Sequence, residues 1–150
     1  MKDGTIICDG CKGITPHCCH GEKHIVVNDV QHNRPCECWP CLVARVILRG
    51  EVVRLLFSAP DNSFSVALAF VSFSQSHRHN VGVETYTLAS GRLEVYIGES
   101  DNEHILLTKP GATVHISEGK CHWARRNGDE IAIISVVSVP SWNPTNSIYD

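Results

Sequence analysis

The sequence predicts an all-β protein: an antiparallel sandwich or barrel over residues 43–150, preceded by a separate Cys/His-rich segment over residues 1–42. Three observations carry this reading. Beyond residue 42 the chain is a series of short β-branched runs broken by turn residues. No segment keeps an apolar stripe at helical spacing for three turns. Seven of the eight cysteines fall between Cys8 and Cys41, so the composition changes sharply where the β-type pattern begins.

Taken in order, strands are expected over 43–48, 52–57, 64–73, 84–89, 92–97, 104–108, 113–116, 121–125 and 131–139. Ser90-Gly91, Pro110-Gly111, Glu118-Gly119 and Asn127-Gly128-Asp129 are the turns between them, because Gly, Asn and Pro supply the backbone angles that reversals need. Frequent turns between short strands indicate antiparallel pairing. The two prolines of Pro140-Ser141-Trp142-Asn143-Pro144 should take the tail out of the sheet as an extended surface segment.

The 150 residues suffice for one well-buried domain and an appendage. A formal charge of −3 shows no basic excess, so neither nucleic acid nor an anionic membrane is favoured as a partner. The apolar runs at 66–71 and 131–137 are far shorter than the ~18–20 residues of a membrane span. Met1-Lys2-Asp3-Gly4 leads into cysteines in place of an apolar leader core, so a cytoplasmic location is expected.

The most informative stretch is His77-Arg78-His79, with Glu84 five residues on and Gly91 after that. Alternate residues of a strand share a face, so His77 and His79 can enter the barrel together while Arg78 points out. Glu84 opens the next strand and can return a carboxylate to the same spot. Two imidazoles and a carboxylate suit a divalent first-row metal and leave coordination positions open. Gln75 and Tyr86 have the same inward parity and are candidate contacts for a bound molecule.

His77-x-His79-x4-Glu84-x6-Gly91 resembles the first motif of the cupins, H-x-H-x(3,4)-E-x6-G, at each of these positions. Gly111-x5-Ser117-x-Gly119-x2-His122-x3-Arg126 resembles the second, G-x5-P-x-G-x2-H-x3-N, in both glycines and the histidine. It departs at Ser117 and Arg126, and Val71 stands where the first motif usually opens with glycine. The resemblance implies a double-stranded β-helix (jelly-roll) barrel holding one divalent metal (Fe, Mn, Zn or Ni) with His77, His79, Glu84 and His122. His104, His115 and Cys121 fit neither motif; the two histidines are expected at the surface and Cys121 in the interior.

In the head, Cys8-x2-Cys11 and Cys38-x2-Cys41 are knuckle-like pairs that together could surround a tetrahedral zinc ion. The form resembles a zinc ribbon in general outline. Cys8, Cys11, Cys38 and Cys41 are the first choice of ligands. The 26 residues between the pairs exceed the ~15–20 of a simple ribbon, and they add Cys18, Cys19, His20, His24 and Cys36 as alternative ligands or a second site.

Two kinds of function follow from the cupin resemblance. One is an enzyme, a metal-dependent dioxygenase or an isomerase or lyase, acting on a small polar oxygen-bearing molecule such as a sugar or keto acid. The other is a non-enzymatic binding or sensing module whose zinc head docks a partner. The resemblance also implies a homodimer, which covers open sheet edges.

Overall fold

The computed structural model describes residues 39–98 and 104–149. The chain divides into Met1–Arg49 and Gly50–Asp150. Of the first unit only a helix, α1 (Trp39–Arg49), is described. The sequence pattern predicts a strand here from Val43, and the structure corrects it. Val43, Val46 and Ile47 are β-branched, which favours a strand reading, but Val43 and Ile47, like Leu42 and Val46, stand four apart. Pro40 sits in the first turn, where its missing N–H costs nothing, and Arg49 lies near the negative end of the helix dipole.

The second unit is two five-stranded antiparallel sheets. Its strands are β1 (Glu51–Ser58), β2 (Ser65–Val71), β3 (His77–His79), β4 (Val83–Ser90) and β5 (Leu93–Ile97), then β6 (His104–Leu107), β7 (Thr113–Ile116), β8 (His122–Arg126), β9 (Ala132–Val139) and β10 (Ser147–Tyr149). One sheet has the order β1-β2-β9-β4-β7, the other β10-β3-β8-β5-β6. Consecutive strands therefore cross repeatedly from one sheet to the other. That crossing brings β8, distant in sequence, to the same place as the consecutive strands β3 and β4.

Period-two alternation explains the faces. In β4, Glu84, Tyr86 and Leu88 are buried while Val83 is exposed and Thr85 and Thr87 are half-buried. The apolar core between the sheets includes Val71, Leu88, Leu93, Val95, Ile116 and Ile134. It fills one part of the barrel and leaves the part around the histidines hollow. Gly91 joins β4 to β5 at φ +79°, and a Cβ there would lie 2.8 Å from the Ile131 carbonyl oxygen. The motif glycine is thus required by both backbone angle and space.

The tail differs from the expectation of a segment leaving the sheet. After Pro140, the Trp142 amide donates to Ser65 Oγ (2.9 Å), and Asn143 caps a single 3-10 turn, Pro144–Asn146. The chain then returns as β10, which pairs with β3 in the register Ser147↔His79 and Tyr149↔His77. The prolines end β9 but do not keep the chain out of the other sheet.

Candidate metal centre

His77 and His79 reach the interior from β3, Glu84 from β4 and His122 from β8, where His122 pairs directly with His77. All four are buried. One ligand atom from each lies within 4.8 Å of the others. Gly119 prepares this geometry from the turn before β8: at φ +76° its N–H donates to the His79 carbonyl oxygen at 2.9 Å, linking the His122 turn to β3.

Hydrogen bonds outside the cluster set the tautomers. His77 Nδ1 lies 2.8 Å from the Gln75 carbonyl oxygen, and His122 Nδ1 lies 2.9 Å from that of Lys120. A carbonyl only accepts, so in both rings Nδ1 carries the hydrogen and Nε2 turns a lone pair inward. His79 Nδ1 lies 3.2 Å from Ser147 Oγ, so the same tautomer is available to it.

Glu84 faces these lone pairs. Its Oε2 lies 3.1 Å from His79 Nε2 and 3.3 Å from His122 Nε2, and neither nitrogen makes a hydrogen bond. Tyr86 Oη donates to Oε2 (3.3 Å) and Ser138 Oγ to Oε1 (3.4 Å). Burial by itself would raise the Glu84 pKa; His122 and His79 lower it through the Nε2–H bonds and positive charge they offer when protonated, a role left to a bound cation when the rings are neutral. Burial, with His122 next, pushes the His77 pKa down and favours the neutral ring.

Three imidazoles able to present Nε2 lone pairs to one ionised carboxylate are electrostatically incomplete without a cation among them. The donor set therefore fits a divalent transition metal, and the outer contacts orient the ligands as metal sites require.

Beside this cluster lies a cavity of about 210 Å³. β1, β2 and β9 form its apolar wall with Val53, Leu55, Ala69, Val71, Ile134 and Val136. Glu51, Tyr86 and Tyr149 bring polar groups to it. Burial, followed by the Glu84 charge, holds the Tyr86 phenol well above its ordinary pKa, so it stays a proton donor.

The other sequence candidates are placed as follows. Tyr86 lines the cavity, while Gln75 is exposed and meets His77 through its backbone carbonyl. His104 and His115 are exposed, Cys121 is half-buried, and Arg126 donates to the Asp129 carbonyl oxygen. Cys41 lies within α1, whereas Cys8, Cys11, Cys18, Cys19, His20, His24, Cys36 and Cys38 lie outside the described residues. Sequence reasoning did not single out Glu51, Ser138, Ser147 or Tyr149. Glu51 has the alternation of Val53 and Leu55 as its signal, one residue before the expected strand. Ser147 and Tyr149 sit in a three-residue strand, too short for periodicity to show.

The class follows from fold and site together: this is the double-stranded β-helix barrel of the cupins, with a buried three-His, one-Glu group inside it. No family model and no curated protein matches the chain. Solved structures do. A conserved Klebsiella pneumoniae protein with a double-stranded β-helix domain matches at TM-score 0.56 and 22% identity, over 66% of this chain and 83% of its own. Pac13 of Streptomyces, a nucleoside dehydratase, matches at TM-score 0.57 and 14% identity, over 67% of this chain and 78% of its own. An oxalate oxidase in complex with glycolate matches at TM-score 0.55 and 22% identity, over 67% of this chain and 55% of its own. At these identities the likeness is one of fold. Among the described residues, no helix is long and apolar enough to cross a membrane.

Proposed function

We propose that the protein is a metal-dependent cupin that binds and transforms a small polar oxygen-bearing molecule, a sugar, keto acid or similar compound, at His77, His79, Glu84 and His122. The observation that carries this reading is the convergence of four ligand atoms within 4.8 Å beside a cavity large enough for a few heavy atoms. A bound divalent ion would act as a Lewis acid on a ligand oxygen or as a site for dioxygen chemistry. The chain's own contribution is orientation. The Gln75 and Lys120 carbonyls fix two imidazoles, Tyr86 and Ser138 fix Glu84, and the apolar wall bounds the space for a ligand.

The structures of similar fold support a small-molecule role: one is a dehydratase of nucleosides, another an oxidase holding glycolate. For this chain the reaction class is a metal-dependent dioxygenase or an isomerase or lyase. Cys8, Cys11, Cys38 and Cys41 hold a structural zinc in the N-terminal segment. In this reading the protein works in the cytoplasm as a homodimer.

The test uses the full-length chain loaded separately with Fe(II), Mn(II), Zn(II) and Ni(II). Dioxygen uptake and isomerisation are followed over keto acids, thiols, sugars and nucleosides. Turnover that depends on metal and disappears in His79→Ala is the expected result. Ligand-dependent thermal stabilisation with no turnover on any substrate would instead support the binding-module reading, in which the zinc head docks a partner.

A further inference from the structure

Glu84 is not the only carboxylate that faces the cavity. Glu51, the first residue of β1, stands in register with Val71 of β2 and lines the cavity with Val53 and Leu55. No lysine or arginine is among the described residues that line it. No hydrogen bond or ion pair to the Glu51 carboxyl occurs among the described residues either. Glu51 is half-buried, and burial, then the Glu84 charge, push its pKa up while His122 works against them, so this carboxyl senses the charges of the cluster.

A carboxyl group in such surroundings gains most from a hydrogen-bond donor on whatever enters, and loses most beside a second anion. A divalent ion on three neutral imidazoles and Glu84 leaves one positive charge; that charge opposes the upward push on Glu51 and favours its ionised form, which in turn cancels it. An uncharged ligand keeps that balance; a carboxylate ligand upsets it, with no cationic side chain on the described wall to compensate. We infer that Glu51 selects the ligand, favouring an uncharged or cationic oxygen compound with a hydroxyl or N–H donor over a carboxylate. This inference rests on the metal-centre reading above and narrows its ligand class toward sugar-like and other neutral polar molecules.

The test compares glycolate with its uncharged isostere, glycolamide. Full-length wild-type protein and Glu51→Gln are loaded with Co²⁺ and titrated with each compound. The readout is the ligand-dependent change in visible absorption that is lost in His122→Ala. Glu51→Gln is expected to raise affinity for glycolate relative to glycolamide about tenfold over the wild-type ratio. An unchanged ratio with the His122-dependent Co²⁺ spectrum intact overturns the inference alone. Absence of any His122-dependent Co²⁺ spectrum overturns the metal reading and this inference with it.

Discussion

Ser147 Oγ lies 3.2 Å from Nδ1 of His79, so the last described strand of the chain supplies an outer contact to a residue of the metal cluster. The register makes this contact specific, because Ser147 is the β10 residue opposite His79. With Nδ1–H donating to the hydroxyl, Nε2 is left free for a metal. His77 and His122 have backbone carbonyls in this role, which no side-chain substitution removes.

Ser147→Ala should therefore weaken metal binding about tenfold, within the range found for lost outer-shell contacts. Isothermal titration of the full chain with Co²⁺ measures it. Ser147→Thr keeps the hydroxyl and should keep most of the affinity.

The two sheets stand or fall with the residues between them. Leu88 is fully buried in the core, and Leu88→Ala should cost ~2–5 kcal/mol in urea unfolding through lost burial and the cavity left behind. Leu106, 43% exposed on β6, should change stability by only about 0.5 kcal/mol or less when replaced by Ala. Equal effects at the two positions would contradict the placement of the core.

Much of this was legible in the sequence because the β pattern is local. Glu84, Tyr86 and Leu88 alternate with exposed and half-buried neighbours, and Gly91 marks the turn that follows. The three histidines and Glu84 share a site because strand parity points each inward, and the motif spacing shows as much. What the sequence hid was set by tertiary partners. α1 carries β-branched residues at helical spacing, and the two patterns overlap over so short a run. β10 has three residues and exists because β3 offers it an edge. Glu51 belongs to the site only because β1 lies across the cavity from β3 and β8, a relationship no local pattern records.

On β5, in the sheet that also carries the three histidines, Glu94 Oε2 accepts from Arg125 Nε (2.7 Å) and Tyr96 Oη (2.8 Å), and Oε1 accepts from Asn127 Nδ2 (2.6 Å). Arg125 first, then Tyr96, holds the Glu94 carboxyl below its ordinary value of 4.5. A depressed carboxyl stabilises the fold fully above the unfolded-state value, and that contribution is lost as pH falls through the folded value. The stability difference between wild type and Glu94→Gln should thus be greatest near neutrality and shrink below pH ~4.5. Arg125 is half exposed, so the effect should be modest and salt-sensitive. Thermal melts from pH 7 to 3 check it, and a difference that grows on acidification would contradict the assignment.

The central claim is that His77, His79, Glu84 and His122 hold one metal ion. Its most direct test is elemental analysis of full-length wild type and His122→Ala, purified side by side without chelator, with circular dichroism confirming that both are folded. The account predicts one equivalent of transition metal fewer in the variant, whatever the N-terminal cysteines retain. Equal metal content in two folded proteins would contradict it.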